Sequence, residues 1–115
     1  MILDTTTTKL EAVLGGAVAA NQPQVHVTYV VYNLANSPSK LALFRTVLNS
    51  TTDVTILAAP GTQGYVVEVL SLSIYNKDTA SVTVTVKTDD GTNERIICTK
   101  TLTTLQTLFW EKGVG

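Results

Sequence analysis

The sequence predicts an all-β fold: a single-domain antiparallel β-sandwich or jelly-roll-like barrel with an extended N-terminal arm. Three observations lead there. Roughly seven or eight short runs of β-branched and aromatic residues are separated by turn signals at close spacing, the pattern of sandwiches and barrels. Twenty of the 115 residues are Thr, which is β-branched and polar and suits the wet face of a strand. From Gly64 to Thr101, apolar and hydroxyl-bearing residues alternate with a period of two, as half-buried strands require. At 12.3 kDa the chain is one domain that buries roughly two thirds of its unfolded surface.

Residues 1–14 read as the arm and residues 15–115 as the sandwich domain. Within the arm, Lys9–Leu14 reads as a short strand. A short helix is the rival, because Leu10, Val13 and Leu14 share helical spacing and Gly15-Gly16 would end it; the threonines Thr5–Thr8 are poor helix formers and favour the arm. Gly15–Pro23 is a linker. Gln24–Leu34 is a long strand with Val25, Val27, Tyr29 and Val31 on one face and His26, Thr28, Val30 and Tyr32 on the other. Both faces are substantially apolar, which places it centrally or under cover on both sides. Ala35–Ser39 is a loop broken by Asn36, Ser37 and Pro38. Lys40–Asn49 reads as a strand with Leu41, Leu43 and Val47 on one face, or as a short helix through Leu41, Phe44, Val47 and Leu48. Asp53–Ala58 is a short strand, followed by the turn signal Pro60-Gly61.

Gly64–Asn76, Ala80–Lys87 and Asn93–Leu102 fold on paper into an antiparallel meander. Joined through Lys77-Asp78-Thr79, the first pair sets Leu70 against Val86, Leu72 against Val84 and Ile74 against Val82. Joined through Asp89-Asp90-Gly91, the second sets Val84 against Ile96 and Val82 against Cys98. Ser71, Ser73, Ser81, Thr83, Thr85 and Thr99 fall on the opposite face, so a slip of one residue would mix the two faces. Thr107–Glu111 is the last strand. Its Leu108-Phe109-Trp110 run puts large apolar groups on both faces, the mark of a covered strand or an interface.

Charged residues are only 15% and the net charge is −1, with a pI near 5.7 and a mean hydropathy of +0.23. No basic run provides a footprint for nucleic acid. A surface of few charges and many small hydroxyls sheds water cheaply and suits burial against another subunit; plain β propensity accounts for the threonines equally well. Leu10–Ala20 imitates a signal peptide, but its start lacks basic residues and Glu11, Gly15 and Gly16 interrupt its apolar centre, so no cleavage is expected. The segment is also too short to span a bilayer.

Chemistry-bearing residues are scattered. His26 and Cys98, the single histidine and the single cysteine, share no motif that a triad or a zinc site would need. Ser37, Ser39, Ser50, Ser71, Ser73 and Ser81 lie outside any nucleophile elbow. Asp89-Asp90-Gly91-Thr92-Asn93-Glu94 lacks the ligand spacing of a calcium loop and reads as a hairpin with Gly91 in the left-handed position. Asp78 reads the same way at the neighbouring tip. Tyr75, placed beside Ser81 and Thr99, offers a weak sugar-binding surface. No glycine-rich phosphate loop is present. No catalytic residue, metal site or cofactor is expected.

The words Leu72-Ser73-Ile74-Tyr75-Asn76, Asp78-Thr79-Ala80, Val82-Thr83-Val84-Thr85-Val86 and Asp89-Asp90-Gly91-Thr92 resemble small virion structural proteins of tailed bacteriophages. The opening Met1-Ile2-Leu3-Asp4-Thr5-Thr6-Thr7-Thr8-Lys9-Leu10-Glu11, with Leu14-Gly15-Gly16-Ala17, is similar to the starts of the same proteins. Lys40–Gln63 lies outside the resemblance. It implies a non-enzymatic virion component, a capsid cement or decoration protein whose partners are the major capsid protein or other virion proteins. It further implies a homo-oligomer, such as a trimer at capsomer junctions. A tail, baseplate or fibre-base component is the alternative, and a host-surface glycan-binding module a further one. The contact residues expected from this reading are Met1, Ile2, Leu3 and Leu10 in the arm and Leu108, Phe109 and Trp110 in the last strand.

Overall fold

A computed structural model describes residues 1–3, 5–33 and 40–113. Its strands are β1 (Ile2–Leu3), β2 (Lys9–Leu14), β3 (Gln24–Asn33), β4 (Lys40–Val47), β5 (Val54–Leu57), β6 (Tyr65–Tyr75), β7 (Val82–Asp89), β8 (Glu94–Leu102) and β9 (Thr107–Glu111). The loop expected over Ala35–Ser39 lies outside the described residues. Every strand pairing is antiparallel. One sheet runs β1-β6-β3-β4, with β9 also on β6; the other runs β5-β2-β7-β8. Lys40–Val47 is a strand, as its alternation indicated, and not a helix.

The two sheets pack face to face about one core. Leu10, Ala12, Leu14, Val82, Val84 and Val86 enter it from the four-stranded sheet, and Val25, Val27, Val67, Val69, Leu72 and Ile74 from the other. Alternation puts these residues on one face of each strand, except that a bulge at Leu70 in β6 switches the inward set from Val67 and Val69 to Leu72 and Ile74, so Leu70 does not join the inward row expected for it; removing that area from water holds the layers together.

The meander expected between Gly64 and Thr101 forms only in part. β6 and β7 are not paired: β6 is flanked by β3 and by β1 and β9, and β7 by β2 and β8. Their apolar rows meet across the core instead of along a shared ladder. Period-two alternation says which face of a strand is buried, and a neighbour in the same sheet and a neighbour in the opposite sheet satisfy it equally. β7 and β8 do pair, but with Val86 against Cys98 and Val82 against Leu102, and with Ile97 bulged out between Val86 and Lys87. The turn is longer than expected. Asp89 pairs with Glu94, and the Asp90 carboxylate accepts the amides of Thr92 at 2.9 Å and Asn93 at 2.7 Å. Such Asx turns set the loop length, and Gly91 takes its left-handed place at φ 92°.

The crossover from β6 to β7 is fastened by two buried polar residues. Asn76 donates its amide to the carbonyls of Ala80 at 3.0 Å and Leu102 at 2.9 Å, and accepts the Asp78 amide at 2.9 Å. The Asp78 carboxylate accepts the backbone amides of Ala19, Ala20 and Asn21 at 2.8–3.1 Å and that of Thr79 at 2.8 Å. Those bonds hold its pKa down at about 2 and pin the linker Gly15–Pro23 to the same end of the molecule.

Residues 1–14, expected as an arm, supply strands to both sheets. β1 pairs with Val67 and Glu68 of β6. β2 lies between β5 and β7 in the second sheet.

Candidate interaction surface

The outer face of the five-stranded sheet carries several exposed apolar side chains among polar ones. β3 turns Val25 and Val27 to the core, so His26, Thr28, Val30 and Tyr32 face outward. Register then builds rows across the sheet. One row runs Leu41, Val30, Glu68, Ile2. A second runs Leu43, Thr28, Ser71, Glu111, and a third Arg45, His26, Ser73, Phe109. Leu41 is 66% exposed, Phe109 59%, Ile2 57% and Leu43 49%, and Val47 and Tyr32 are also exposed. Single exposed hydrophobes are ordinary, but several on one sheet face mark a contact surface. A polar cluster crosses this face: Glu68 accepts from Lys112 Nζ at 2.9 Å and from the Tyr32 hydroxyl at 3.3 Å. Lys112 chiefly holds the Glu68 carboxyl below its usual range. Among the described residues β4 pairs only with β3, so its outer edge keeps backbone donors and acceptors for another strand.

The expected contact residues fall into three groups. Leu3 and Leu10 are fully buried in the domain's own core and present no surface to a partner. Leu108 and Trp110 turn inward and pack against that core at half-buried positions. Ile2 and Phe109 are exposed on the outer face. Met1, Leu108, Phe109 and Trp110 come together around a cavity of about 320 Å³ that opens between the sheets beside Ile97 and Cys98 of β8. Leu108 and Trp110 face this opening from the inward side of β9, and Phe109, exposed on the outer face, also reaches its rim.

The remaining candidates separate. His26 stands on β3 opposite Arg45 and Ser73, whereas Cys98 lies on β8 in the other sheet. Tyr75 pairs with Gln24 and Thr107. Ser81 and Thr99 belong to the second sheet's side of the chain, so the sugar-binding surface expected around Tyr75 does not assemble. Asp89 and Asp90 spend their carboxylates on amides of their own turn.

Sequence reasoning missed the outer face as a unit, because its members come from five strands whose order was not readable. The signals were the two-sided apolar character of Gln24–Leu34 and of Leu108-Phe109-Trp110. It also missed Glu11, which alternation places opposite the core yet which is only 3% exposed. Compared with known proteins, the chain matches no protein family, no curated protein and no solved structure.

Proposed function

We propose that this chain is a non-enzymatic structural protein of a tailed-bacteriophage virion, a cement or decoration protein that stabilises the shell by bridging its subunits. The observation that carries this reading is the apolar outer face running from Leu41 through Val30 to Ile2 and Phe109, continuous with the unpaired edge of β4. A domain with so few charges loses little hydration when that face is covered. The open edge adds backbone hydrogen bonds to a partner strand. A shell lattice uses both features, which on a solitary protein invite aggregation. The resemblance of the turn and strand words to phage virion proteins points the same way. In this reading Ile2 is the part of the N-terminal segment that reaches a neighbour, while Leu3 and Leu10 anchor it.

The Leu41→Lys, Leu43→Lys double variant tests the reading. Both side chains are outward and exposed, so the melting temperature should stay within about 2–4 °C of the parent, as surface changes usually do. Incorporation into particles assembled in infected cells should fall at least tenfold. A folded double variant that enters particles as well as the parent would refute the role of this face.

A further inference from the structure

β2 and β7 carry an ionic cluster on the outside of the four-stranded sheet. Glu11 and Lys87 are cross-strand partners. Asp53, just before β5, and Glu94, at the start of β8, reach in from either side. Lys87 Nζ lies 2.7 Å from Glu94 Oε2 and 3.0 Å from Asp53 Oδ1, and Lys9 Nζ lies 3.1 Å from Glu11 Oε2. These contacts leave one atom unsatisfied: Glu11 Oε1 is buried and has no hydrogen-bond partner. A buried carboxylate oxygen with nothing to accept from is costly.

We propose that Glu11, Asp53 and Glu94 form a binding site for a divalent cation, calcium by preference, in which Lys87 stands in as a tethered ammonium until the ion enters. One oxygen from each carboxylate already lies within 4.8 Å of the others. A calcium ion about 2.3–2.6 Å from each ligand oxygen holds any two of them no more than ~5 Å apart, so the oxygens need not converge further. Glu11 is the fixed wall of the site, with its side chain 4% exposed, while Asp53 and Glu94 are 40% and 46% exposed. That leaves an open side for the water ligands calcium needs to reach six to eight. Magnesium demands a tighter octahedron and suits ligands from three separate strand regions less well.

The three carboxylates outnumber the two ammonium groups against them, so the cluster keeps residual negative charge. Lys87 Nζ rests on Glu94 and Asp53, the half-exposed carboxylates of the cluster, so the side chain leaves the site by swinging outward to water. With the ion bound, β2, β8 and the start of β5 share one ligand, and the edge strands of this sheet are tied to its centre. The site is independent of the virion reading.

Calorimetric titration of the chelator-treated full chain with CaCl2, at constant ionic strength, tests the proposal. The expected result is saturable binding of one ion with a dissociation constant of roughly 10⁻⁴–10⁻³ M, the range of open extracellular-type sites, and weaker binding of MgCl2. Glu11→Gln should weaken calcium binding at least tenfold. Lys87→Met, which removes the competing ammonium, should tighten it by up to about fivefold, the effect of one ion pair of ordinary strength. Glu94→Gln, at a half-exposed position, gives the same test of the ligands where a variant at Glu11 or Lys87 fails to fold. Absence of saturable heat up to about 10 mM CaCl2, affinity unchanged in Glu11→Gln or Glu94→Gln, or affinity unchanged in a folded Lys87→Met would each overturn the proposal.

Discussion

Asp78 shows how much of this fold rests on single side chains. Its carboxylate is 1% exposed and gathers four backbone amides from two loops. The sequence showed Asn76 only as the end of a strand and Asp78 only as an ordinary turn residue. Nothing local marks a carboxylate whose partners lie 57–59 positions away. Its folded pKa, about 2, is below the ordinary 3.8. The stabilisation it provides is therefore complete above about pH 4 and is lost as pH falls from there toward 2. Asp78→Asn, which keeps the shape but not the charge, should lower the melting temperature at neutral pH by roughly 5–10 °C. The gap between variant and parent should narrow steadily in acid. A gap of constant size from about pH 6 to pH 2 would mean that the carboxylate's charge is not what holds the linker.

At the scale of elements, the strands were legible and their partners were not. Lys9–Leu14 and Thr107–Glu111 begin and end where the sequence reading places them: the poor helix formers Thr5–Thr8 and then Gly15-Gly16 bracket the first, and the large apolar Leu108-Phe109-Trp110 run marks the second. Pairing depends on which edges are already taken. β6 cannot join β7 because β3 occupies one of its edges and β1 and β9 the other. β1, a strand of two residues, is below the length at which a pattern can register. Its Leu3 is nevertheless fully buried, and the Val69 amide donates to the Met1 carbonyl at 2.8 Å. Leu3→Ala should destabilise the domain by about 2–5 kcal/mol in urea unfolding, the usual range for a buried leucine. A loss below about 1 kcal/mol would show that the N-terminal strand is a loosely attached arm, as the sequence alone suggested.

The whole molecule is an elongated body of 47 × 28 × 23 Å with unlike surfaces. The outside of the four-stranded sheet is mainly hydroxylic and ionic, with one exposed apolar residue, Ile96 at 69%: Thr83 bonds Thr101 at 2.9 Å and Thr85 bonds Thr99 at 3.1 Å, cross-strand hydroxyl pairs of the kind that stabilise exposed sheets. The outside of the five-stranded sheet carries Leu41, Leu43, Ile2 and Phe109. The apolar group on the five-stranded sheet emerges only when β4, β3, β6, β1 and β9 are assembled in order, and in the proposed reading it is the side that meets a partner. Composition left a surface suited to burial and plain β propensity as equal readings, and gave no location for such a surface. For the proposed virion role, the most direct measurement is the copy number of this chain in purified particles of a tailed phage whose genome carries its gene, by quantitative mass spectrometry against the main shell subunit. A cement role requires a fixed ratio to that subunit and a large number of copies per particle. Absence from the particle, or only the handful of copies expected of a tail part, would contradict it.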